Sequence, residues 1–109
     1  VVTHKIAHGE GRFSTDEQTL YQIEQNRQVV YRYSSPEGRT ALSLPDNPNG
    51  SMNGIAAVTN DKGNILAMMP HPERSILKRQ YENSHRLPPD FQPEGLQLFQ
   101  RMVEYAKGL

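Results

Sequence analysis

The residues best suited to chemistry are Pro70-His71-Pro72-Glu73. A residue that precedes proline is pushed out of the helical region, so His71 is expected to be extended, and Pro72 fixes its own φ near about −65°. In an extended segment, side chains two apart project to the same side, which turns the His71 imidazole toward the Glu73 carboxylate. Such a pair makes an oriented general base. The carboxylate holds one ring nitrogen as N–H and stabilises the imidazolium, while the other nitrogen takes a proton from a nucleophile. An exposed ion pair on a proline-rich turn would use the same two residues.

A base needs a nucleophile, and the 109 residues contain no cysteine. That excludes disulfides, thiolate metal sites and a cysteine nucleophile within the chain. Ser51 lies in Gly50-Ser51-Met52-Asn53-Gly54, which is not the Gly-x-Ser-x-Gly elbow and lacks a strand-to-helix context. Ser75 follows the His71 motif too closely to be preferred. The nucleophile is therefore expected from another segment or chain. His4, His8, His71, Glu10 and Glu73 are residue types that ligate zinc. Gly9 and Gly11 nevertheless argue against a helix that would align His4 with His8, and no His-Glu-x-x-His motif exists, so no metal site is expected. Gly9-x-Gly11 is too short a match for a dinucleotide loop.

His8, Glu10 and Arg12 alternate and could share one side of an extended segment that reaches the site or a partner. The flanking glycines would equally permit a simple bulge. Asn49 and Ser51, in Asn47-Pro48-Asn49-Gly50-Ser51, could present polar groups to the site or a partner, although the same residues are ordinary turn chemistry. Arg74, Lys78 and Arg79 read as a solvated basic face.

The elements that must position these groups can be read along the chain. Val1 to Ala7 reads as a weak strand, followed by a glycine-flanked loop or bulge over residues 8–12. Ser14 and Thr15, followed by Glu17 and Gln18, offer capping boxes for a short helix over Asp16 to Gln25, with Leu20 and Ile23 on its apolar face. Gln28 to Ser34 alternates as a half-buried strand, Ser35-Pro36-Glu37-Gly38 suits a type I turn, and Arg39 to Leu44 would complete a hairpin. Pro45 to Gly50 must be a loop. Ile55 to Thr59 and Ile65 to Met69 are strands joined by Asn60 to Asn64. The second is apolar throughout, which predicts burial on both faces inside a sheet, with the His71 motif at its carboxyl end, where open α/β sheets place ligands. A brief polar helix or turn follows, then an irregular stretch through Pro89. Leu96, Phe99, Met102, Val103 and Ala106 then fall at helical spacing, with Gly108 as the stop.

Twelve Lys+Arg balance twelve Asp+Glu, and the sequence pI is about 7.1, which gives no electrostatic reason to propose nucleic acid or an anionic membrane as partner. The longest apolar run, Ile65 to Met69, is far short of the ~20 residues of a membrane-spanning helix. No secretory signal is visible, so a cytosolic protein is expected. The chain opens on Val1 without an initiator Met, which truncation at its start or trimming of a Met before Val would equally give, truncation being the simpler expectation. Its hydrophobic share of 35% and mean hydropathy of −0.75 are lean for a domain that completes its own core, where about 45–50% apolar with Gly counted is usual.

Three blocks in order, His8-Gly9-Glu10-Gly11-Arg12-Phe13, Asn47-Pro48-Asn49-Gly50-Ser51 with Gly54-Ile55-Ala56-Ala57-Val58, and Met68-Met69-Pro70-His71-Pro72-Glu73-Arg74, resemble the class I glutamine amidotransferases. The His-Pro-Glu core alone is shared by many members of that class, and the three longer blocks together resemble the glutaminase of phosphoribosylformylglycinamidine synthase. The resemblance implies a flavodoxin-like α/β fold, of which residues 1–109 are the C-terminal portion with β-hairpins and a C-terminal helix. It further implies a Cys-His-Glu triad that hydrolyses L-glutamine and delivers ammonia to a formylglycinamidine ribonucleotide synthetase subunit or domain. His71 would be base and then acid, and Glu73 its orienting carboxylate. The nucleophilic Cys would lie in the N-terminal part of the same glutaminase, leaving this portion inactive alone. No cofactor is implied in this chain, since ATP and Mg belong to the synthetase. A non-catalytic docking module of the same fold is the alternative.

Overall fold

A computed structural model describes all residues except 8–10 and 109. The expected roles of His8 and Glu10 fall outside the described residues. The chain is α/β and divides into two compact units, one of Val1 with His8–Met69 and one of Val2–Ala7 with Pro70–Leu109.

In the first unit, α1 spans Glu17–Gln25. Its cap is Asp16 rather than Ser14 or Thr15: the Asp16 carboxylate accepts from the Thr19 backbone N–H at 2.8 Å and from the Thr19 hydroxyl at 2.9 Å. A carboxylate satisfies an orphan amide and also complements the positive helix end, and a hydroxyl does only the first. The strands that follow are β1 (Val29–Arg32), β2 (Ile55–Thr59) and β3 (Leu66–Met68), in an antiparallel sheet of order β1-β2-β3. β1 pairs Val29 with Val58, Tyr31 with Ala57 and Arg32 with Ile55, so its register shifts twice and it is shorter than the alternation predicts.

The turn after β1 forms as expected. Gly38 N–H donates to Ser35 O at 2.9 Å, and Gly38 takes a φ of +89°, which favours glycine. The returning strand over Arg39 to Leu44 does not form beyond a single Ser34–Thr40 bridge. Leu42 and Leu44 are 70% and 74% exposed, so no apolar face holds them against the sheet.

The expected core strand also requires correction. β3 lies at an edge and is only half-buried, with Ile65 exposed, whereas β2 is central and carries the buried Ile55, Ala56 and Ala57. Continuous apolar sequence signals burial on both faces only where there are layers to cover both. Among the described residues, β3 pairs with β2 alone.

One ion pair joins three elements of this unit. Arg32 meets Glu24 bidentately, Nη1 to Oε1 at 2.8 Å and Nη2 to Oε2 at 2.6 Å, and also donates to the Asn53 carbonyl at 3.0 Å. It ties β1 to α1 and to the short 3-10 turn at Met52–Gly54. The Arg32 hydrogen bonds hold the Glu24 carboxyl below its ordinary range. A depressed carboxyl contributes stability that is present above its unfolded pKa and lost as pH falls through the folded value. Glu24→Gln is expected to cost about 1 kcal/mol at pH 7. The difference from wild type should vanish in acid, as read by urea denaturation at several pH values.

The strand expected over Val1 to Ala7 does not form, and Val2–Ala7 belong to the second unit. The segment makes an isolated bridge, Lys5 to His71, in which the His71 N–H donates to Lys5 O at 2.7 Å. Short 3-10 turns follow at Pro72–Ser75, Lys78–Gln80 and Ser84–Arg86, before α2 at Glu94–Lys107 with Gly108 as its C-cap. The predicted apolar face of α2 is largely open, with Met102 44% and Val103 53% exposed. The helix buries only its start, at Gly95. No helix among the described residues is long and apolar enough to cross a membrane.

Candidate active site

His71 and Glu73 meet. The His71 Nδ1 to Glu73 Oε1 distance is 2.6 Å, and since a carboxylate only accepts, the proton between them belongs to Nδ1. The local route differs from the expected extended pair. His71 is non-helical at φ −106°, ψ 85°, and acts as N-cap of the 3-10 turn in which Pro72 opens the first turn and Glu73 follows. Pro72 thus serves as a helix start, where its missing N–H costs nothing. The turn rotates Glu73 back over the capping residue. The hydrogen bond from His71 holds the Glu73 carboxyl below the usual carboxylate range, with help from the nearby Arg74 charge.

The other ring nitrogen, Nε2, faces the Ala7 carbonyl at 3.1 Å. A ring protonated on both nitrogens donates to both oxygens. A neutral ring with its proton on Nδ1 presents the Nε2 lone pair, which a base requires. Both side chains stay accessible, His71 at 32% and Glu73 at 53%, so the pair can exchange protons with a reactant.

Asn49, Ser51 and Arg12 lie in the first unit. The polar groups of the Asn47–Ser51 loop turn inward. Fully buried Asn47 donates from Nδ2 to Ala41 O at 3.1 Å and Ser51 O at 3.0 Å, and its Oδ1 accepts from Ser51 N–H at 3.1 Å. Asn49 Nδ2 donates to Gly11 O at 2.8 Å and its Oδ1 accepts from the Ser51 hydroxyl at 2.7 Å, while Ser51 Oγ accepts from Phe13 N–H at 3.1 Å. These bonds pin residues 11–13. Arg12 is exposed and, with Gly11 and Phe13, lines a groove of about 360 Å³ against β2 and β3. Arg74 and Arg79 are exposed, and the Ser75 side chain is buried. Among the described residues, no group of three or more His, Cys, Asp or Glu could hold a metal ion.

Two residues that shape the site carry weak sequence signals. Gln80 sits in an irregular polar stretch with nothing to single it out. Gly95 is a glycine in the first turn of a helix, and a helical glycine costs about 1 kcal/mol relative to Ala, so close packing is the expected reason for one.

Residues 1–106 match the model of the CobB/CobQ-like glutamine amidotransferase domain, and the chain belongs to that family. Within it, the chain is 40% identical over 116 residues to the phosphoribosylformylglycinamidine synthase subunit PurQ of Methanococcus maripaludis strain C5, covering 95% of this chain and 43% of that protein. It is 52% identical over 75 residues to the PurQ subunit of Synechocystis sp., covering 69% of this chain and 33% of that protein. The subunit of Thermosynechococcus vestitus is 45% identical over 103 residues, covering 94% of this chain and 40% of that protein. The chain thus spans less than half the length of these curated relatives.

Proposed function

We propose that this chain is the C-terminal portion of the glutaminase of phosphoribosylformylglycinamidine synthase, a cytosolic protein, and that His71 and Glu73 are its base and orienting carboxylate. The observation that carries this reading is the 2.6 Å pairing of His71 Nδ1 with Glu73, in a chain whose relatives bear that synthase's name. The nucleophile is a Cys of the N-terminal portion. His71 Nε2 takes the thiol proton as sulfur attacks the side-chain amide carbon of L-glutamine, then returns it to the departing nitrogen, so that ammonia leaves and a thioester remains. Water, deprotonated by the same nitrogen, cleaves the thioester to glutamate and restores the thiol. The ammonia passes to the formylglycinamidine ribonucleotide synthetase, which holds ATP and Mg.

The test is to join this chain in frame behind the N-terminal portion of the M. maripaludis relative and measure glutamate release. Activity is expected from the joined protein with synthetase present, and none from either part alone. A joined protein that binds synthetase without hydrolysing glutamine would favour the docking-module reading. His71-dependent hydrolysis by the 109-residue chain alone would overturn the division of the triad.

A further inference from the structure

Glu73 lies in a single 3-10 turn of four residues that His71 caps, too short to hold a side chain in place by its own hydrogen bonds. What surrounds that turn is a set of bonds converging on Gln80. Its Oε1 accepts from the backbone N–H of Ile76 and of Leu77, both at 2.8 Å, and its Nε2 donates to the Glu73 carbonyl at 3.2 Å. One amide side chain therefore fastens the end of the turn and its acidic residue together. Its backbone is engaged as well, because the Gln80 carbonyl accepts from Lys5 Nζ. The Lys5 backbone carbonyl in turn accepts from the His71 backbone N–H at 2.7 Å. The bonds form a closed circuit from Glu73 through Gln80 and Lys5 to His71.

We propose that Gln80 is the positioning residue of the His71–Glu73 pair, its side-chain amide fixing the backbone of Glu73 to that of Ile76 and Leu77 so that the carboxylate stays on His71 Nδ1. The inference rests on the reading of that pair as the glutaminase base. Gln80 touches no reacting group itself. A glutamine suits the position because it supplies an acceptor for two amides and a donor for one carbonyl from a single planar group. Neither glutamate nor methionine supplies both.

Gln80→Met removes all three side-chain bonds at nearly constant volume, and Gln80→Glu keeps the acceptor for Ile76 and Leu77 while losing the donor to Glu73. On the 109-residue chain, the His71 Nδ1 proton should give a hydrogen-bonded NMR resonance in wild type that is lost in Gln80→Met. Slow amide exchange at Ile76 and Leu77 should be lost in Gln80→Met and kept in Gln80→Glu. In the joined glutaminase, Gln80→Met should lower kcat by about 10- to 100-fold, the scale of misplacing a catalytic group by about 1 Å. The KM for glutamine should stay within about twofold, and Gln80→Glu should lose less. An intact Nδ1 resonance in Gln80→Met, or a loss that falls on KM rather than kcat, overturns the proposal. A joined wild-type protein without glutaminase activity would instead sink the functional reading and leave the NMR comparison to decide the role of Gln80.

Discussion

His71→Asn in the joined glutaminase is expected to lower kcat for glutamine hydrolysis by about 10²- to 10⁴-fold, the usual range for a positioned general base and acid. Asparagine retains a polar group of similar reach but cannot carry a proton to and fro near neutral pH. The KM should change little, because in the role proposed for it the imidazole moves a proton rather than holding the ground state. Glu73→Gln should fall less steeply: its amide oxygen can still accept from Nδ1, but it no longer offsets the imidazolium charge.

The pH dependence separates these roles. Because the His71 bond depresses the Glu73 carboxyl, Glu73 remains ionised below the ordinary carboxylate range, and its support of His71 is lost only as pH falls through the lowered value. In His71→Asn, carbon-detected NMR should find the Glu73 titration moved up toward the ordinary range. Wild-type kcat, or a Glu73 titration that ignores the loss of His71, would contradict the assignment.

The pair itself was legible in the sequence because its cause is local. Two prolines restrict the backbone around His71, and a separation of two residues is short enough for the side chains to meet by more than one route, so the contact forms even though the route is a 3-10 turn rather than an extended run. α1, β2 and α2 were legible for the same reason, their apolar patterning lying within a few residues, although the capping residue of α1 is Asp16 rather than the expected Ser14 or Thr15. What sequence could not convey is which layers cover an apolar segment. Ile65 to Met69 and the stripe from Phe99 to Ala106 are patterned for burial, yet Ile65 is 62% exposed and Met102 44% exposed. An apolar pattern records what a segment is suited to contact, and the covering surface lies elsewhere in sequence. The Asn47–Ser51 loop carries the opposite lesson. Residues with the polarity of a binding loop direct their amides inward and hold residues 11–13, and only the partners of Asn47 and Asn49 reveal it.

Gly95→Ala is expected to be the most disruptive single-methyl change in the second unit. A Cβ on Gly95 would lie 1.9 Å from the Pro72 carbonyl oxygen and 2.9 Å from that of Ser75, where real contacts are essentially never under 3.0 Å. Both obstacles are backbone, so neither can swing aside as the end of a flexible side chain would. Relief requires α2 and the Pro72–Ser75 turn to part by about 1 Å or more. Alanine's helix preference would return about 1 kcal/mol, but overpacking against fixed atoms costs about 1–3 kcal/mol, and a backbone obstacle puts this site at the upper end. The expected net loss is about 2 kcal/mol.

The turn that must yield is the one that carries Glu73, while α2 is held close by the Glu94 N–H, which donates to the Tyr81 hydroxyl at 3.0 Å, and by the edge-on packing of Tyr81 against Phe91 at 4.9 Å. The strain is therefore directed into the His71–Glu73 contact. Gly95→Ala should lower Tm, weaken the His71 Nδ1 resonance in the molecules that remain folded, and reduce kcat in the joined enzyme by about 100-fold. Gly108→Ala, at the far end of the same helix, is the control. Gly108 has a φ of −86°, and a Cβ there would approach nothing closer than 3.5 Å, so Tm and the resonance should hold. A Gly95→Ala protein that matches wild type in both would show that the turn gives way without disturbing the pair, and would separate the packing of α2 from the geometry of the site.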